Sequence, residues 1–189
     1  MPYLIILMLS LVLGLSACAP CPDQTQEDAD TTDTQITPMV DSALDEQMPA
    51  FDIGQTVVKM PISDDVSMDE AIESMELRAN EINMKKVAHQ PLSQELIAMG
   101  EENVRRMEIF QFCDPKIAKD MIAFNMDFGA YMPCRIMLIE DEEGKGWLVM
   151  MDLDFFISSS DLPPELQEMG MKVRDDLLNI MDAGANGEF

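Results

Sequence analysis

From Gln55 onward the apolar and polar positions repeat with two periods, near 2 in some blocks and near 3.6 in others, and turn or capping residues close each block. The run TVVKMPIS from Thr56 to Ser63 joins β-branched residues to a proline and predicts a first strand. Ser67 and Glu70 form a capping box, and behind it Met68, Ile72, Met75, Ala79 and Ile82 recur at helical spacing. That helix lays one apolar stripe on a sheet. Lys85 to Pro91 reads as a short strand, Ser93 to Met99 as a short helix, Met107 to Cys113 as a strand, and Pro115 opens a helix to about Phe124. CRIMLIED from Cys134, a turn at Glu143 and Gly144, and GWLVMMDLD to Asp154 predict a hairpin. A last helix from about Pro163 to Asp182 has Asp161 or Ser160 ahead of it and Gly184 as its stop. The order of elements predicts an α+β domain, a single mixed or antiparallel sheet with helices packed on one face.

Ahead of this domain the pattern changes twice. Pro22 to Ala50 is rich in Asp, Glu, Gln, Thr and Pro, without an aromatic or a positive charge, and is expected to be a disordered spacer with a coil dimension of roughly 30 Å. Tyr3 to Ala17, YLIILMLSLVLGLSA, is an uncharged apolar run, shorter than the roughly 20 residues of a membrane span, and fits a signal-peptide core. Its end, Leu15, Ser16, Ala17 and Cys18, resembles the bacterial lipobox. The resemblance implies cleavage before Cys18, acylation of that cysteine and durable anchoring by several chains. Ala19, where an aspartate would resemble an inner-membrane retention signal, implies the periplasmic face of the outer membrane. The expected map is 1–17 signal peptide, 18–50 lipidated tether and 51–189 folded domain. A competing reading takes Cys18 and Cys21 as a C-x-x-C redox pair, but no βαβ pattern surrounds them and a thioether sulfur cannot exchange disulfides.

Charge narrows the partners. Twelve Lys plus Arg face thirty-six Asp plus Glu, a net charge of −24, and no Lys or Arg precedes Lys59. Such a chain repels phosphate backbones, so nucleic acid is excluded as a partner. The nineteen Met are spread over nearly every element, as core filler rather than as bunched copper ligands.

The segment from Ser67 to Asp154 resembles the DUF302 family, a bacterial domain of unknown function. The resemblance rests on the opening amphipathic helix, on VAH ending at His89, on IFQFCDP before a helix, and on MPCRIMLIED, a glycine turn and WLVMMDLD. It implies a TBP-like α+β fold and no particular activity. Cys113 and Asp114 stand where the family pattern has glycine and asparagine, and Cys134 where it has leucine, so both cysteines are additions of this chain.

Those cysteines carry the candidate chemistry. Export would favour a Cys113 to Cys134 disulfide; a simple crossover through the helix from Pro115 would separate the sulfurs to opposite sheet ends, whereas the nine residues Asn125 to Pro133 could instead carry the chain back. Cys21 would then be free or paired between molecules. Alternatively Cys113, Cys134 and the sole histidine, His89, form a soft site for copper(I), zinc or haem iron. His89 reads more simply as a structural residue. Arg135 could lower the thiol pKa or hold an anion, against a simpler role in an ion pair. Asp152 and Asp154, two apart on the expected strand, would share one face. No nucleophile elbow, zincin motif, phosphate loop or EF-hand occurs, so hydrolysis has no visible machinery. The sequence therefore predicts a lipid-anchored binding module for a small molecule, soft metal or envelope protein. Its rivals are a thiol redox or sulfur-carrier protein using Cys113 and Cys134, and a structural envelope lipoprotein.

Overall fold

A computed structural model describes residues 52–188. By contacts between residues the chain parts into two units, Met1–Gln47 and Met48–Phe189, and every described residue lies in the second. The leader, Cys18, Cys21 and the expected tether lie outside the described residues.

Five strands form one sheet: β1 (Val57–Pro61), β2 (Lys85–Gln90), β3 (Met107–Cys113), β4 (Cys134–Glu140) and β5 (Gly146–Met151), in the order β1-β5-β4-β3-β2. Every neighbouring pair is antiparallel, which resolves the expected mixed or antiparallel sheet. Burial alternates residue by residue along β3 and β5, as one covered face requires. The covered face presents Phe110, Phe112, Ile136, Leu138, Leu148 and Met150, all buried. Against it lie α1 (Met68–Glu81) and α5 (Pro164–Asn186), contributing Ala71, Met75, Ala79, Leu177, Ile180 and Met181 to the core. The capping box of α1 forms in full: the Ser67 hydroxyl accepts from the Glu70 N–H at 3.2 Å, and the Glu70 carboxylate accepts from the Ser67 N–H at 2.8 Å.

Shorter helices close the ends, α2 (Leu92–Ala98), α3 (Pro115–Phe124) and α4 (Leu153–Ser158). The helix α3 is not a crossover to a parallel strand. A 3-10 turn, Met126–Tyr131, brings the chain back so that β4 runs antiparallel to β3. Two expectations need correction. The last hairpin strand stops at Met151, because Asp152 caps α4 by accepting from the Asp154 N–H at 2.9 Å. The final helix ends not before Gly184 but at Asn186, with Gly187 in the left-handed region at φ 66° as its cap, and its N-cap is Pro163, with no side-chain cap bond from Ser160 or Asp161. Gly184 lies inside α5 for a packing reason: a Cβ there would stand 2.5 Å from Met75 Cγ and 3.1 Å from the Ala71 carbonyl oxygen. Among the described residues no helix is long and apolar enough to cross a membrane.

The other face of the sheet carries no covering α1 or α5. Strand register sets its side chains in rows: Met107, Ile139, Trp147 and Pro61; then Gln90, Ile109, Met137, Val149 and Lys59; then Ala88, Gln111, Arg135, Met151 and Val57.

Candidate functional site

Where β4 begins and β5 ends, the packing leaves a hollow. Ile117 and Met121 of α3, Phe128 of the 3-10 turn, Phe156 of α4 and Val173 of α5 surround a cavity of about 160 Å³, with Cys134 and Met151 at the sheet end. The fourteen lining residues include no charged side chain. Gly170 helps to keep it open, since a Cβ there would meet only Ile157 at 3.3 Å and Met121 at 3.6 Å as its nearest neighbours. A second cavity, of about 360 Å³, adjoins it at the sheet end, with Met150 and Leu177 of the covered side also in its lining, and shares Tyr131, Cys134, Met151, Leu153 and Phe156 with the first. Its lining includes Ile109, Met137 and Val149 of the central row and a single charged residue, Arg135.

Neighbouring strands carry the two cysteines of the folded domain, and both are free thiols. Cys134 pairs in register with Phe112 and packs against the core, whereas Cys113, one residue further along β3, falls by alternation on the other face. Proximity in the sheet therefore does not aim the sulfurs at each other. Burial, then the neighbouring Cys113 charge, push the Cys134 thiol up to about 11, against the opposing pull of Arg135. Burial and Asp114 raise Cys113 as well. Both sulfurs are protonated at neutral pH, the form least suited to nucleophilic attack or metal binding.

His89 is occupied elsewhere. Its ring stacks on Phe110, centroids 4.5 Å apart and planes 10° apart, and its Nε2 lies 2.7 Å from Glu108 Oε2. The Glu108 side chain is 6% exposed, and its other oxygen accepts from Arg106 Nε at 2.6 Å. Arg106 continues to Asp69 at 2.7 Å. Among the described residues no group of three or more His, Cys, Asp or Glu is placed to hold a metal ion. The structure thus does not gather His89, Cys113 and Cys134 into one site. Sequence reasoning passed over Glu108, although it shares the parity of Phe110 and Phe112 in MEIFQFC and so had to face the core.

Arg135, expected in an ion pair, is exposed and makes none among the described residues. The aspartates expected to share a strand face do separate work, Asp152 as the α4 cap and Asp154 in an ion pair with Arg174 of α5. The cavity walls were the part least visible in sequence, because α4 was not anticipated and Asn125 to Pro133 was expected only as a segment that could return the chain.

A family model, "Domain of unknown function DUF302", matches residues 58–184. The structure is similar to a solved one, "Crystal structure of uncharacterized conserved protein DUF302 from Bacillus stearothermophilus". That likeness has a TM-score of 0.58 at 19% identity, covers 68% of this chain and 97% of the other, and concerns the fold. None of the curated proteins matches the chain.

Proposed function

The chain belongs to the DUF302 family, and from that premise we propose that it is a binding module holding a small, largely apolar molecule in the cavity beside Cys134. The observation that carries the reading is the cavity wall, uncharged throughout in a chain of which 25% is charged. The hollow is open to solvent on one side and about 160 Å³ in volume, room for a ring or short chain of about six carbons. Covering its apolar wall is favourable at roughly 25 cal/mol per Å² removed from water. The adjoining cavity of about 360 Å³ lies within the usual size range of small-molecule sites.

The same proposal places the module in the cell envelope, anchored by lipid on Cys18, with Ala19 favouring the outer membrane. The support is LSAC at the end of an apolar run. Mass spectrometry of the mature protein should find a diacylglyceryl-modified N-terminal Cys18, and an intact leader would contradict it. The rival thiol function has the raised thiols of Cys113 and Cys134 against it.

The test of binding is a thermal titration with hexanol. Ligand that binds only the native state raises Tm by mass action. Ile117→Trp, which fills the mouth of the smaller cavity from a half-exposed position, should fold and lose the response. A Tm unchanged or lowered by hexanol, equally in both proteins, would remove the reading.

A further inference from the structure

Arg135 is the one charged residue in the two adjoining linings, and its guanidinium has no hydrogen-bond or ion-pair partner among the described residues. It shares that lack of a partner with Lys59, Lys85, Arg105, Lys116 and Lys119, but it alone of the twelve cations lines these cavities. Six of the other cations, Arg78, Lys86, Arg106, Lys145, Lys172 and Arg174, are each held by a carboxylate. The face on which Arg135 stands is also free of acids at its strand positions. Its three rows contain Lys59 and Arg135 but no Asp or Glu, and Lys85 joins them opposite Cys113. At the far end of the face Asp141 accepts from Trp147 Nε1 at 2.7 Å. A positive group over low-dielectric apolar walls concentrates its field at the cavity mouth, in a chain whose net charge of −24 disfavours anions overall.

We infer that the ligand is an anionic amphiphile, with its carboxylate or phosphate on Arg135 and its hydrocarbon portion across Ile109, Met137 and Val149 into the hollow behind Cys134. The inference rests on the binding reading above and adds the ligand's chemical class. A guanidinium suits this task because its fork of donors meets two oxygens of a carboxylate or phosphate at once. The five residues common to both linings set the charged mouth and the uncharged hollow side by side. A free fatty acid and an acidic phospholipid share this chemistry.

The test compares decanoate with decanol by calorimetry, on the mature chain carrying Cys18→Ser. Decanoate should bind at least tenfold more tightly than decanol and lose that advantage in Arg135→Ala, while decanol affinity stays within twofold. Arg135→Lys should recover part of it. Raised salt should weaken decanoate alone. Flotation with phosphatidylglycerol and phosphatidylcholine vesicles then separates the sources: Arg135-dependent capture by the former alone assigns a membrane lipid, and binding confined to monomeric decanoate assigns a free acid. Equal affinity for decanoate and decanol, unchanged by Arg135→Ala, overturns the inference and leaves apolar binding intact. Failure of both probes to bind overturns the binding reading and the inference with it.

Discussion

Two buried glycines on α5 should respond to the same substitution with opposite signs. At Gly184 an added Cβ would stand 2.5 Å from Met75 Cγ, 3.0 Å from Leu148 Cδ1 and 3.1 Å from the Ala71 carbonyl oxygen. Met75 and Leu148 are fully buried and the third atom is backbone of α1, so the contact cannot be relieved by turning an exposed side chain. Overpacking of this kind costs about 1–3 kcal/mol, against a helix-propensity gain of at most about 1 kcal/mol, and less so near a helix end. Gly184→Ala should therefore destabilise by about 1–2 kcal/mol, a fall in Tm of roughly 3–8 °C for a domain of this size. At Gly170 the new Cβ would meet the flexible ends of Ile157, at 3.3 Å, and Met121, at 3.6 Å, beside the cavity. Here the propensity gain dominates, and Gly170→Ala should stabilise by about 0.5–1 kcal/mol. Calorimetric melting of both variants checks the pair. A Gly184→Ala protein as stable as Gly170→Ala would refute the close approach of α1 and α5 on which the core is built.

Other expectations follow from individual side chains. Glu108→Ala, which strips His89 and Arg106 of a carboxylate that is 6% exposed, should cost roughly 2–4 kcal/mol in urea unfolding, and a loss under 1 kcal/mol would show the cluster to be slack. The hydrogen bond from Trp147, then the backbone N–H of Lys145, hold the Asp141 carboxyl below its ordinary 3.8. Because the folded pKa is the lower one, the stability this group contributes is present above the ordinary value and is lost as pH falls through the depressed one. Fluorescence of Trp147, the sole tryptophan, should report a transition below 3.8 that Asp141→Asn abolishes; a midpoint at or above that value would exclude the bond. For Cys134, raised from 9.0 to about 11, the thiolate fraction at pH 8 is about one in a thousand rather than about one in ten. Alkylation should accelerate with pH up to about 11, and the thiol's contribution to stability should be complete below the ordinary value and fade as pH rises through the folded one.

The sequence was most informative where a local rule and the global packing agree. The alternation in MEIFQFC and CRIMLIE marks strands with one buried face, the capping box at Ser67 satisfies free N–H groups at a helix start, and the proline at the start of α3 sits where no N–H is needed. It misled where one residue has two physical uses. Glycine both ends helices and lets them approach, so Gly184 reads as a stop although Gly187 is the left-handed cap. Aspartate after an apolar strand reads as its polar end, yet Asp152 begins a new helix. The site was legible only as separate residues. Cys134 and Arg135 were singled out by type, but the hollow between them depends on α4 and on the return of the chain to form β4 beside β3, which no periodicity announces. His89 was drawn towards the cysteines by chemistry, whereas register sets it opposite Phe110 and beside Glu108.

The most direct measurement of the central claim uses the chain's own methionines. Met121, Met132 and Met151 line the smaller cavity, while Met75 and Met181 lie in the core outside it. In a methyl-resolved NMR titration of methionine-labelled protein with hexanol, the account predicts saturable shifts at Met121, Met132 and Met151, with Met75 and Met181 unmoved. Shifts spread evenly over all five, or absent from the three cavity methyls at saturating hexanol, would contradict it.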